Sequence, residues 1–233
     1  SPQDAHAHYN LGVTIEELGR LDEAEASYIQ AIVLKPDFFD AHYNLGITLG
    51  RLGRLDEAEI SFAQAIAFNS DSAPAHYNLG LILKKLGRLD EAEVSCTRAI
   101  VLKPDYALAH SNLGATLKEL GRFDEAEASY LEAIALKPDF AEAHNNLGEM
   151  LQKLRRSEEA EASCMQAIAL QPDYADAYIN LGLTLQDLGK LDEAEANYTQ
   201  AIALKPDFAI AFWNLHGLEK TIQRAEHWID KCL

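Results

Sequence analysis

Asn10, Asn44, Asn78, Asn112, Asn146, Asn180 and Asn214 stand 34 residues apart, each inside a near-copy of Ala-His-Tyr-Asn-Leu-Gly. A primary carboxamide carries a donor and an acceptor together, the pairing that the backbone of an extended polypeptide presents. A row of them at fixed spacing can grip a main chain with little regard to its sequence. Asparagine is unfavourable inside a helix relative to alanine or leucine, so its recurrence needs a compensating reason. The competing reason is an amide bonded to the neighbouring copy. Two positions earlier runs a second column, His8, His42, His76, His110 and His144. Equivalent atoms in neighbouring copies lie a helix-packing distance apart, about 8–10 Å, whereas zinc needs ligands at about 2 Å. No metal or other cofactor is therefore expected, and these rings are read as packed, hydrogen-bonded interior groups.

The residue before the asparagine is Tyr9, Tyr43 and Tyr77 in the first three copies, then Ser111, Asn145, Ile179 and Trp213. The tyrosines offer either an aromatic wall for a ligand's side chains or packing against the next copy. Six and seven residues after the asparagine come Arg51, Lys84, Lys85, Lys118 and Lys153, in copies two to five. They point to a ligand segment carrying carboxylates, against the plainer reading of solubility and pairing along one helix. No nucleophile with a histidine and acid, no phosphate-cradling glycine loop and no zinc spacing occurs, so the chain reads as non-catalytic.

The 233 residues carry a formal charge of −17, which argues against a nucleic-acid backbone as partner. No apolar run is long enough to enter a membrane. Cys96, Cys164 and Cys232 fall at one repeat position, too far apart for a disulfide, and fit a reducing compartment. A soluble, cytoplasmic setting is favoured. The opening Ser-Pro-Gln lacks an initiator methionine, so a fragment or processed product is expected.

The elements that must hold these columns follow from the same period. With the asparagine as position 6, repeats begin at Ala5, Phe39, Ala73, Ala107, Ala141, Ala175 and Ala209. Positions 1–14 carry an apolar stripe at 3, 7, 11 and 14, one face of a first helix, A. Glycine at position 15 suits a left-handed helix end, with Arg155 the exception. The strings Asp-Glu-Ala-Glu then read as a start of the second helix, B, with the aspartate as its N-cap. Helix B buries Ala at 20 and 27 and an aromatic or cysteine at 24. Proline at 32 ends it, and Asp at 33 is placed to cap the next helix A. Eighteen of the acids lie in those helix-B starts, where negative charge favours the helix dipole, and read as a solvated outer edge. On helix A the exposed positions hold nearly balanced charge. Helix on helix with short loops is an all-α solenoid.

A 34-residue helix–turn–helix unit with Leu-Gly at 7–8, Ala at 20, Tyr or Phe at 24, Ala at 27 and Pro at 32 resembles the tetratricopeptide repeat (TPR) family. The resemblance covers six repeats (5–38, 39–72, 73–106, 107–140, 141–174 and 175–208), after a lead-in of 1–4. Residues 209–233 form a partial or divergent seventh repeat, with Trp228 where Ala belongs. The family implies a right-handed superhelix whose A helices line a concave groove that binds proteins or peptides. The asparagine column is similar to that of the TPR superhelix of O-linked N-acetylglucosamine transferases, which holds extended polypeptide. The Lys/Asn carboxylate clamp of some TPR domains needs Lys at position 5 and Asn at 9. No repeat here has them. A protein- or peptide-binding scaffold is thus expected. The alternatives are a module that stacks head to tail through its ends and a substrate-recruiting region of a larger transferase.

Overall fold

The computed structural model describes residues 4–218 and 220, and these are helical apart from short turns. Trp228 and Cys232, with any cap or cut that the chain's end represents, lie outside the described residues. Six A/B pairs follow one another: α1 (Ala5–Glu17) and α2 (Leu21–Leu34), α3 (Phe39–Arg51) and α4 (Leu55–Phe68), α5 (Ala73–Lys85) and α6 (Leu89–Leu102), α7 (Ala107–Glu119) and α8 (Phe123–Leu136), α9 (Ala141–Lys153) and α10 (Ser157–Leu170), α11 (Ala175–Asp187) and α12 (Leu191–Leu204). A further helical stretch begins at 209. The chain divides into two compact units, residues 1–129 and 130–233.

Within each unit, helices pack on their pair partner and on the next A helix, as in α1–α2–α3 of the first unit and α9–α10–α11 of the second. The alanine columns make this close approach possible. Ala24, Ala58 and Ala92, with Ala160 and Ala194 in the second unit, are fully buried at position 20, as are Ala31, Ala65, Ala99, Ala167 and Ala201 at position 27. Position 24 drives one large or polarizable group into the glycine of position 8. A Cβ on Gly12 would lie 2.6 Å from the Tyr28 ring, and one on Gly80 would lie 2.7 Å from Cys96 Sγ. Cys96 and Cys164 are free and buried, and burial pushes their thiols up to about 11 and about 12. They act as small apolar filler.

Each A helix ends in the expected left-handed residue. Gly19 has φ +76°, its N–H bonds Glu16 O, and Arg20 N–H bonds Ile15 O, the paired bonds of a Schellman motif. Arg155 in place of the glycine leaves two readings of this turn, a strained one and a rebuilt one. It makes the same turn, with φ +62° and the same two bonds through Arg155 and Arg156, so strain is what remains. A left-handed conformation costs an L-residue about 1–2 kcal/mol. Arg155→Gly returns less than that as unfolded-chain entropy, about 1 kcal/mol at most. It also loses an exposed ion pair to Asp187 at 3.1 Å. Arg155→Gly is therefore expected to raise the melting temperature by about 2–4 °C, and a lower value in calorimetry would refute this account of the turn.

The caps are built otherwise than the sequence suggests. Helix B starts one residue before its aspartate, at Leu21 and its counterparts, and its N-cap is Arg20, Arg54, Arg88, Arg156 or Lys190 with no side-chain cap. The aspartate therefore sits in the first turn and acts through the dipole. Nor does Asp at position 33 cap helix A. The N-cap there is the following residue, Phe38, Tyr106, Phe140 or Tyr174, without a side-chain bond. Asp4 and Ser72, at that same following position, do cap α1 and α5.

The outer acids are mostly exposed as expected, and the basic N-cap column pairs with some of the glutamates among them. Arg54 Nε donates to Glu57 at 2.6 Å in its own repeat, and Arg54 Nη1 donates to Glu25 of the preceding repeat at 2.6 Å. Arg88 repeats this with Glu91 and Glu59, and Arg122 with Glu125 and Glu93. In the second unit Lys190 bridges to Glu161. The bonds from Arg54 and Arg88 hold the Glu57 and Glu91 carboxyls below the usual carboxylate value.

Candidate peptide-binding faces on the A helices

The asparagine column resolves into hydrogen bonds between repeats. Asn44 Nδ2 donates to Tyr9 Oη at 3.2 Å and Asn78 Nδ2 to Tyr43 Oη at 2.9 Å. In the second unit Asn180 Nδ2 donates to Asn145 Oδ1 at 2.9 Å, the residue that stands where the tyrosines stand in the first. One rule covers all three: position 6 donates to position 5 of the repeat before. The bond fixes each amide's rotamer and leaves its carbonyl oxygen and its second N–H as the remaining groups. Asn10 is exposed and Asn146 half-buried. Asn112 departs from the pattern. It is buried, its Nδ2 donates to Cys96 Sγ at 3.1 Å, and its Oδ1 has no partner among the described residues. Among the described residues Asn214 Nδ2 is buried without a partner, and position 5 of the repeat before it is Ile179, which has no acceptor to offer.

The tyrosine rings pack at the repeat junctions. Tyr9 lies 5.1 Å from the Phe38 ring, Tyr43 stacks on Phe39 at 5.8 Å, and Tyr77 meets Tyr106 at 5.2 Å. All three stay half-exposed, so packing and a surface-facing edge coexist. Burial raises the Tyr9 and Tyr43 hydroxyls above their ordinary value, and the asparagine bonds partly offset it.

The histidines are hydrogen-bonded as expected but less interior. Of the column, only His42 is buried. His42, His76 and His110 place Nε2 at 2.9–3.0 Å from the carbonyl oxygens of Pro36, Ser70 and Pro104, and His144 does so at 3.2 Å from Pro138. A carbonyl only accepts, so Nε2 carries the proton. Tyr178 serves the same role toward Pro172 O at 3.2 Å. No group of histidine, cysteine or acid side chains among the described residues is arranged to hold a metal ion.

Of the five bases, Arg51, Lys84, Lys85 and Lys118 belong to the first unit and Lys153 to the second. Arg51 and Lys85 line a pocket of about 220 Å³ in the first unit with Gly46, Ile47, Asn78 and Leu81, and no carboxylate lines it. Arg51 also reaches Glu16 at 3.0 Å. Lys84 and Lys118 are half-buried and do not line this pocket. In the second unit Lys153 is bonded to Glu149 at 2.6 Å in a pocket of about 510 Å³. The residue that opens the first pocket is Gly50, which sequence reasoning passed over. Position 12 is Glu16, Lys84, Lys118, Gln152 or Gln186 in the other complete repeats. The signal was a glycine outside the two glycine columns. Among the described residues, no helix is long and apolar enough to cross a membrane.

Models described as tetratricopeptide repeat match residues 39–72, 73–106, 95–128 and 139–207, and one described as TPR repeat matches 15–53 and 116–154. Together they run without a gap from 15 to 207. No curated protein matches the chain. Solved structures do. A chain of the APC/C hetero-tetramer Cut9–Hcn1 is similar at TM-score 0.82 and 19% identity, over 93% of this chain and 43% of that one. TTC0263, a thermophilic TPR protein of Thermus thermophilus, is similar at TM-score 0.67 and 26% identity, over 77% of this chain and 98% of its own. YrrB, a TPR protein with an unusual peptide-binding site, is similar at TM-score 0.59 and 22% identity, over 79% and 95%.

Proposed function

Since the chain belongs to the tetratricopeptide repeat family, we propose that it is a non-catalytic binding scaffold whose first unit holds an extended, acidic peptide segment on its A helices. One observation carries the reading. In a chain of net charge −17, the pocket that Gly50 opens is lined by Arg51, Lys85 and the amide of Asn78, with no carboxylate. A peptide aspartate or glutamate entering it meets Lys85, Arg51, which it shares with Glu16, and the second N–H of Asn78. Asn44 and Asn78, held in one orientation by Tyr9 and Tyr43, turn their remaining carbonyl oxygens to the ligand's backbone N–H groups, and exposed Asn10 continues the row. The half-exposed edges of Tyr9, Tyr43 and Tyr77 flank the ligand's side chains, and Lys84 and Lys118 add positive potential. Asn112 has no part in it, being buried against Cys96. The peptide-binding site in YrrB's description is consistent with this use of the fold.

Gly50→Gln tests the pocket without damaging the helix. A Cβ there meets only Ile82 Cδ1, at 3.2 Å, the flexible end of a side chain. Glutamine is a better helix former than glycine by roughly 0.5 kcal/mol, so the variant stays folded while the pocket fills. The probe is a fluorescein-labelled Ala/Ser peptide with two aspartates, read by anisotropy against its asparagine isostere. We expect the acidic peptide to bind at least tenfold more tightly than the isostere, and both Gly50→Gln and the pair Arg51→Gln/Lys85→Gln to remove that difference. An acidic peptide that binds all three proteins equally overturns the proposal.

A further inference from the structure

The second unit has a pocket of its own, with the opposite electrostatic sense. It is walled by Tyr174, Ile179, Leu183 and Phe208 and rimmed by Glu149 and Asp176, in a volume of about 510 Å³. Glu142, Asp176 and Glu149 all act on Tyr174, whose hydroxyl is pushed up to about 12, first by burial and then by these carboxylates. Among the described residues the one cation lining the pocket is Lys153, which is bonded to Glu149 at 2.6 Å. Arg155, the next base along the chain, is bound to Asp187. Among the described residues no lysine or arginine pairs with Asp176 or Glu142. The pocket thus combines apolar and aromatic walls with a rim that keeps a net negative charge after its internal pair is counted.

We propose that this pocket binds the guanidinium-bearing side chain of a partner polypeptide. An arginine suits both parts of it. Its alkyl stem covers Ile179 and Leu183, its flat cation stacks on an aromatic face, and its fork of N–H donors meets carboxylates. The neighbouring amides are already ordered for a ligand: Asn180 donates to Asn145, and Asn145 Nδ2 lies 3.4 Å from Tyr174 Oη. Gln152 donates to Asp187 at 2.6 Å, which holds it at the pocket's edge. Lys153 is then a like charge within the pocket that competes with a ligand cation. The inference rests on the scaffold reading but not on the acidic-peptide site of the first unit.

The test reads the pocket directly. In ¹⁵N-labelled protein the side-chain amide signals of Asn145, Asn146, Gln152 and Asn180 are followed during titration with N-acetyl-arginine amide, and with N-acetyl-citrulline amide as its neutral isostere. Saturable shifts at these amides are expected, with the citrulline compound several-fold weaker. Lys153→Gln is expected to tighten arginine-amide binding, and Asp176→Asn to weaken it, by roughly threefold each, as befits single charges at a solvent-facing rim. Circular dichroism establishes that each variant is folded. Equal affinities for the two compounds, or weaker binding in Lys153→Gln, overturn the proposal. Because the probe is a single amino-acid derivative, the result is the same whether or not the first unit binds an acidic peptide.

Discussion

Tyr198→Ala is expected to cost about 3–5 kcal/mol, the cost of deleting a fully buried aromatic side chain. Tyr198 has no solvent exposure and sits among Cys164, Leu181, Leu185, Ala194 and Leu218. Those neighbours are held by two helix pairs and cannot close the hole, so a cavity penalty adds to the lost transfer free energy. The hydroxyl contributes separately. It donates to Gln186 Oε1 at 3.1 Å, and Tyr198→Phe is expected to cost about 1 kcal/mol, an ordinary hydrogen bond. Thermal unfolding should show Tyr198→Ala melting about 10 °C or more below the wild type, with Tyr198→Phe close to it. Because repeats contact mainly their neighbours, hydrogen-exchange protection should fall most in α10–α12. A loss under about 1 kcal/mol for Tyr198→Ala would mean that the ring does not fill the position-24 hole.

The partner of that ring gives the second large effect. Glycine to alanine inside a helix ordinarily stabilises by about 1 kcal/mol. At Gly182 the sign reverses, because an added Cβ would lie 2.5 and 2.8 Å from two Tyr198 ring atoms. The ring is enclosed and cannot swing away, so overpacking of about 1–3 kcal/mol or more outweighs the propensity gain. A net loss of about 2 kcal/mol is expected for Gly182→Ala. Gly182→Ala/Tyr198→Leu should lose less than the sum of its single substitutions, since a smaller side chain makes room for the methyl group. Strict additivity in denaturant unfolding would rule out this contact as the cause. Gly50 is the internal contrast, a helical glycine whose substitution meets open space and one flexible methyl group.

These two glycines mark what can be read from one chain. Both lie in helix A of a repeat, and the period alone separates them. Gly182 belongs to a column repeated at Gly12, Gly46, Gly80, Gly114 and Gly148, whereas Gly50 stands outside any column. A recurring glycine paired at fixed distance with a recurring large residue signals a packing hole. The solitary one signals a local opening, yet that it opens onto Arg51, Lys85 and Asn78 depends on how α5 lies against α3. The Arg155 turn is similar. Its place at the end of helix A was legible from the five glycines that fill the same position. That it keeps their geometry at φ +62° was not, because a strained turn and a rebuilt one fit the same residue.

The sequence by itself determined the 34-residue period, the helix pairs, the left-handed ends and the alanine and glycine columns that let the helices touch. These follow from local rules, since side-chain volume and backbone freedom recur at spacings that a helix translates directly into faces. The tertiary structure alone decided the partners of the polar groups. Asn44 meets Tyr9 across 35 residues, Arg54 meets Glu25 across 29, and Asn112 turns inward to Cys96. Those choices depend on the offset and rotation of one repeat on the next, which shift a donor by a few ångström and so select among acceptors. A hydrogen bond needs that distance to a few tenths of an ångström, whereas a buried face tolerates much more. The columns were therefore visible in the chain, and where each amide points was settled only when the repeats were stacked.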